Sequence, residues 1–255
     1  MNTILAFLLK AIDIKGLLSI FATLGSFMVI GGMQTAIILV LLILLHEIGH
    51  AIALYKMKYP IPKIFLIPFL GGIAVHKGEN IKPIHQAWFA FGGPAFGALT
   101  TAIGFIIFLI TKNDFWYYFT FFGFILNLVN LIPLSLVDGG KIVSVLDRRF
   151  YFIGLILGLI ASIKYPSIIL TVLIALTIVQ LFKEYQKDID VTECINCGQK
   201  NRIKQNDNIE SVAKCGKCKF ELNASYEQKF ILAISYFGLI IFQIIMILNV
   251  LPYRN

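Results

Sequence analysis

The run Thr35–Leu45, TAIILVLLILL, carries no charge and passes straight into His46-Glu47-Ile48-Gly49-His50. An apolar segment of this kind is a membrane helix, and imidazole and carboxylate groups within hydrocarbon are costly unless paired or metal-bound. Positions i and i+4 share a helix face, so both imidazoles can reach one zinc ion while Glu47 stands beside the water to be activated. The same five-residue pattern on a solvated helix face would carry far less weight. Here the pattern predicts a metal centre of the kind used in peptide hydrolysis.

The rest of the chain has the same character. With 255 residues, 58% of them hydrophobic and 14% charged, and a mean hydropathy of +0.83, it is too apolar for one water-soluble core. The expected fold is an all-α polytopic membrane protein of six to seven transmembrane helices, since a span needs about 20 apolar residues. Residues 17–33, 34–55, 87–110 and 115–136 are predicted spans. Residues 150–163 and 166–182 are shorter runs that predict a thin helical hairpin, and 230–250 is a last span. The opening MNTILAFLLK is read as part of an interfacial helix over 1–16 rather than a cleaved signal, because it lacks a basic start.

The formal charge of +8 is explained by topology. If the amino terminus is cytoplasmic and seven spans alternate, nineteen of the 22 Lys and Arg fall on the inner side, leaving Lys112, Lys164 and Arg254 outside. The basic excess therefore fits a multi-pass cell-membrane protein in a lipid bilayer, and nucleic acid is not an expected partner.

Two histidines do not complete a catalytic zinc site, which takes three protein ligands and leaves a position for water. Asp138, in the run Asn130 to Gly140 (NLIPLSLVDGG), ends an apolar span before a basic inner segment, as the histidines do. The alternative for Asp138-Gly139-Gly140 is an ordinary turn at a helix end. His46 lies ten residues before Lys56, which at about 1.5 Å per residue sets the metal roughly 15 Å below the inner boundary. Pro133 and the glycines suit a broken helix end lining a hydrated cavity.

HEIGH in one span and N-L-I-P-x-x-x-V-D-G-G in a later one together resemble the site-2 protease family of intramembrane zinc metalloproteases. The similarity covers roughly 17–182, with IPFLGGIAV and FGGPAFG between the two motifs. It implies that His46, His50 and Asp138 bind the catalytic zinc. It also makes Glu47 the general base, and has Asn130 help hold the scissile backbone or the developing oxyanion. For Asn130 a helix-end hydrogen bond is an equal alternative. Two departures stand out: Gly97 where many relatives carry Asn, and Val137 where they often have Leu. The first leaves 93–97 as a close-packing stripe of small residues. No inserted PDZ module fits in the chain.

Lys63 to Val75 holds two short β-favouring runs around Gly71-Gly72, which predict a membrane-inserted hairpin able to pair with an extended substrate. A re-entrant loop that only packs the bundle is the alternative. His76 and His85 read as solvated or interfacial residues rather than ligands.

All four cysteines form two C-x-x-C knuckles, Cys194/Cys197 and Cys215/Cys218, separated by 17 residues. This is zinc-ribbon spacing: a closed thiolate site that holds a structural zinc. Cytoplasmic placement keeps the thiols reduced. The expected organisation is thus an interfacial helix (1–16), a metalloprotease core (17–189), a zinc ribbon (190–222) that staples or recruits substrate, and a last transmembrane helix (223–255).

The expected partner is a single-span membrane protein or membrane-embedded peptide, cleaved as in regulated intramembrane proteolysis. The alternative is a non-hydrolytic membrane peptide-binding or adaptor protein working through its ribbon. A metal transporter would need polar groups across the full membrane depth.

Overall fold

Backbone amides and carbonyls in an apolar run must be satisfied within the run, which is why these segments become helices. In the computed structural model, which describes residues 3–69, 71–75, 80–186, 191–194, 196–202 and 214–254, helices dominate. They are α1 (Thr3–Ala11), α2 (Ile14–Lys56), α3 (Pro83–Thr111), α4 (Asp114–Asn130), α5 (Asp138–Leu146), α6 (Phe150–Lys164), α7 (Ile168–Gln186) and α8 (Tyr226–Val250). Two small antiparallel sheets accompany them, β1 (Lys63–Ile67) with β2 (Gly71–Val75) and β3 (Val191–Glu193) with β4 (Lys200–Arg202). The chain divides into two compact units, Met1–Glu79 with Phe91–Val129 and Leu239–Asn255, and Asn80–Ala90 with Asn130–Gly238.

Among the described residues three helices are long and apolar enough to cross a membrane: α2, α3, and α8 with the 3-10 turn that follows it. Exposed apolar side chains such as Val29, Ile110 and Ile241 cover them. Three span-length helices are fewer than the six to seven that the apolar runs predict, and the differences have local causes. The predicted spans 17–33 and 34–55 both lie in the 43-residue α2, as two helices that meet at a kink at Gly32 (φ 75, ψ 177), next to the predicted boundary. The predicted span 115–136 stops at Asn130, after 17 residues of α4. Pro133 offers no N–H and disfavours helical geometry before it, so the chain turns and restarts at Asp138. Helices α6 and α7 form the predicted short hairpin.

In the first unit, Asp13 caps α2, its carboxylate accepting from the Gly16 amide at 3.0 Å. That bond holds its carboxyl below the usual range, with Lys63 adding to the effect at 3.6 Å. Strand β1 lies along α2: the Leu66 amide donates to Ser19 Oγ at 3.0 Å, and Ile64 is buried with Ala11 and Ala51. Gly16 lets the Ile64 carbonyl come so near that a Cβ would stand 2.7 Å from it. Alternation along β1 buries Ile64 and Leu66, while Ile73 and Val75 of β2 are exposed. Phe108, Tyr117, Phe124 and Val250 join α3, α4 and α8 in one apolar cluster.

In the second unit, α5 begins under the turn that precedes it. A Cβ at Gly139 would overlap the Leu131 and Ile132 carbonyls, and one at Gly140 the Leu134 carbonyl. The two glycines of the D-G-G run thus let the Pro133 turn fold back over the first turn of α5. Tyr151 of α6 donates to the Gly140 carbonyl at 2.8 Å, and Tyr236 of α8 donates to the Leu131 carbonyl.

The conformation at Gly32 generates a test. Nothing lies within 4 Å of a Cβ built there or at Gly25, but only Gly32 has positive φ. Gly32→Ala should therefore destabilise the detergent-solubilised protein by about 1–3 kcal/mol, the cost of holding an L-residue in extended backbone at positive φ, a region open essentially to glycine only. Gly25→Ala should be neutral or slightly stabilising, as thermal unfolding of the two variants would show.

Candidate metal centres

The histidine motif sits on the last turns of α2. His46, Glu47 and His50 are each only 4% exposed. Helical spacing brings the two imidazole Nε2 atoms to 3.2 Å, with the rings nearly perpendicular at 80°. A ligand atom from each of the three residues lies within 4.8 Å of the others. Two nitrogens bound to one tetrahedral zinc at about 2.0–2.1 Å are roughly 3.3–3.4 Å apart. The pair therefore fits a divalent ion, and two facing imidazole lone pairs at that distance repel unless a cation or proton lies between them.

Close approach by α3 frames the pair. A Cβ at Gly49 would overlap the Gly92 carbonyl and the Phe96 side chain, and one at Gly93 would overlap the Nε2 atoms of both His50 and His46. The FGGPAFG run is thus more than a packing stripe, because its second glycine forms a wall of the imidazole site. On the other side, a Cβ at Gly72 of β2 would stand 2.5 Å from the Glu47 carboxylate. The predicted hairpin is present, with Lys63 paired to Val75 and Ile67 to Gly71, and β2 passes directly against Glu47. Among the described residues its only strand partner is β1.

Asn127 was not singled out in the sequence, yet it is 1% exposed and its Oδ1 lies 2.9 Å from His46 Nδ1. Its Nδ2 donates to the Gly123 carbonyl at 2.7 Å. The available signal was an amide in the apolar run FGFILNLVN, since an intramembrane polar group is functional by default.

The other two predicted residues belong to the second unit. Asp138 opens α5, 4% exposed, and Lys141 lies 3.3 Å from its Oδ1. Asn130 is the last residue of α4. His76 and Glu79 lie outside the described residues, and His85 sits in the first turn of α3.

The four cysteines converge in the second unit. Their sulfurs lie within 4.8 Å of one another, with Cys194 to Cys218 at 3.5 Å and Cys197 to Cys215 at 3.6 Å, and none forms a disulfide. Tetrahedral thiolate zinc at about 2.3 Å implies sulfurs roughly 3.8 Å apart, so the cluster fits that ion with slight expansion. Each knuckle closes by a backbone turn: Gly198, at φ 70, donates to the Cys194 carbonyl at 2.7 Å, and Lys219 to the Cys215 carbonyl at 3.0 Å. Lys82 Nζ contacts Glu221 Oε1 at 2.7 Å, and Asn80 Nδ2 donates to Asn196 Oδ1 at 3.4 Å, tying the cluster to the residues just before α3.

The Phe220 amide holds the Cys218 thiol below its ordinary range. At Cys197 the Gln199 amide favours the thiolate, but desolvation and the neighbouring thiols push it up to about 12. A metal must therefore displace protons from this cluster at neutral pH. The sign follows: affinity rises with pH across the neutral range and falls as protons compete at lower pH. Titration of the cluster with zinc should release protons to a weak buffer, and the apparent Kd should increase by at least about 100-fold between pH 8 and pH 6, tenfold per pH unit for each proton displaced. A Kd independent of pH would rule out thiolate ligation.

No family model matches the chain. Stage IV sporulation protein FB of Bacillus subtilis (strain 168) is 30% identical over 160 residues, a match covering 58% of this chain and 51% of that protein. The chain thus spans about half the length of the curated relative it matches. The solved site-2 protease from Methanocaldococcus jannaschii is 20% identical, with a TM-score of 0.41 and coverage of 72% of this chain and 93% of that one. This partial sequence similarity, together with the paired motifs HEIGH and NLIPLSLVDGG, supports the resemblance to the site-2 protease family.

Proposed function

We propose that the protein is a multi-pass intramembrane zinc metalloprotease that hydrolyses a peptide bond in or near the transmembrane segment of a membrane protein, as in regulated intramembrane proteolysis. The observation that carries this reading is the 3.2 Å approach of His46 and His50 Nε2 with the Glu47 carboxylate beside them, all buried on a span-length helix.

On this reading His46, His50 and Asp138 hold the catalytic zinc. When bound, zinc supplies Lewis-acid polarisation of the scissile carbonyl and acidification of water. Glu47 takes a proton from the attacking water at its carboxylate and returns it to the departing amine nitrogen. Asn130 offers an amide to the substrate backbone or the developing oxyanion. Strand β2 supplies an edge beside Glu47, where an unwound substrate would pair through backbone hydrogen bonds. The cysteine cluster holds a second, structural zinc in a cytoplasmic ribbon.

Glu47→Gln is the direct test, because it keeps the size of the side chain and both histidines. It should abolish cleavage of a co-expressed single-span substrate, a loss of at least about 100-fold for removal of a general base, while the purified protein keeps its zinc. Full retention of cleavage would sink the proposal. Zinc counting is a second check: two ions in the parent, and about one in both the His46→Ala/His50→Ala and the Cys215→Ser/Cys218→Ser proteins. If the histidine variant keeps the parent's zinc, the non-hydrolytic adaptor becomes the better reading.

A further inference from the structure

The Gly123 carbonyl can only accept a hydrogen bond, so the atom of Asn127 that faces it at 2.7 Å must be the amide nitrogen. The other end of the carboxamide is then the oxygen, and it faces His46 Nδ1 at 2.9 Å. An oxygen acceptor there requires the proton on Nδ1, which leaves the lone pair on Nε2, the atom that faces His50. One backbone carbonyl on α4 thus dictates the tautomer of a histidine on α2.

The helices are shaped to keep this chain of bonds in place. A Cβ at Gly97 of α3 would overlap the Asn127 carboxamide, and a Cβ at Gly123 of α4 would overlap Thr101 Oγ1. Each helix therefore offers a glycine notch to a polar side chain of the other, with Thr101 donating to the Gly97 carbonyl at 2.7 Å. The Asn127 side chain, buried to 1%, is held by the notch, by its own helix and by His46.

From this geometry we infer that Asn127 is a positioning residue for the metal centre, holding His46 as the Nδ1–H tautomer with Nε2 aimed at the ion, and that Gly97 is there to admit it. The inference deepens the metalloprotease reading and rests on its metal site. Ligand histidines bound through their second nitrogen in this way typically lose 10–100-fold in metal affinity when the partner is removed.

Cobalt titration of the full-length, detergent-solubilised protein tests this without any substrate. Near-ultraviolet sulfur charge transfer reports cobalt in the cysteine cluster, and the visible bands that grow without a further rise in that transition report the histidine site. Asn127→Leu should weaken cobalt binding at the histidine site 10–100-fold and leave the cysteine signal unchanged. Asn127→Asp, which keeps an oxygen facing Nδ1, should restore affinity to within a few-fold. A purely structural role would not be rescued that way. Should Asn127→Leu lose the cysteine signal as well, Asn127→Ala, which adds no bulk, takes its place with the same expected weakening.

An unchanged affinity in the folded Asn127→Leu or Asn127→Ala protein would overturn the inference while leaving the metalloprotease reading intact. So would an Asn127→Asp protein as weak as these. A parent protein with no cobalt bands at the histidines would overturn both.

Discussion

Two neutral imidazole nitrogens cannot rest 3.2 Å apart with both lone pairs turned inward unless something positive lies between them. Much of the first unit is arranged around enforcing that approach in a setting where water cannot relieve it. The i, i+4 spacing on α2 sets the separation, and the absent side chain at Gly93 lets α3 cover the pair. Burial then multiplies the electrostatic stakes, since charges and dipoles interact more strongly away from bulk water. A metal ion answers this constraint better than a proton, because it satisfies both lone pairs and leaves room for further ligands.

Glycine is the means by which apolar helices come near enough to serve such a site. Gly49 and Gly92 admit α2 and α3 to each other, Gly97 and Gly123 do the same for α3 and α4, and Gly72 lets β2 pass the Glu47 carboxylate. Apolar contact with lipid tails is as favourable as contact with another apolar helix, so helices in a bilayer gain by fine packing and polar contacts rather than by bulk burial. The polar side chains at these crossings, Thr101 and Asn127, are fixed by bonds of 2.7 Å to the Gly97 and Gly123 carbonyls of their own helices, and each lies against the glycine of the other helix.

Features carried by period or by spacing were legible in the sequence. H-E-x-x-H needs only the helical repeat to converge, and C-x-x-C needs only a knuckle turn, so both clusters could be written down from residue order. The hairpin at 63–75 followed from β-favouring runs around two glycines. What composition misjudged was continuity: an apolar run from Phe115 to Leu136 looks like one span, but Pro133 cannot continue a helix, and α4 stops at Asn130. Between the first two predicted spans the expected break is present, as one positive φ at Gly32 with helix on both sides. Asn127 was missed because its importance comes from tertiary contact, and its helix gives no sign that a histidine 81 positions earlier lies against it.

The two clusters also differ in what their donors leave open, and that difference separates their proposed roles. Four thiols at 3.5–3.6 Å across the cysteine cluster fill a tetrahedral shell, leaving no position for a substrate. The histidine pair supplies two donors, which leaves further positions of a tetrahedral shell open. Zinc in the first environment can only hold the chain together, here through a cluster tied by Lys82 and Asn80 to the residues that lead into α3. Zinc in the second can exchange a ligand, and only there does a carboxylate stand close enough to move the proton that the exchange requires. Chemistry is therefore assigned to the site with fewer ligands, and the cysteine cluster to holding the fold.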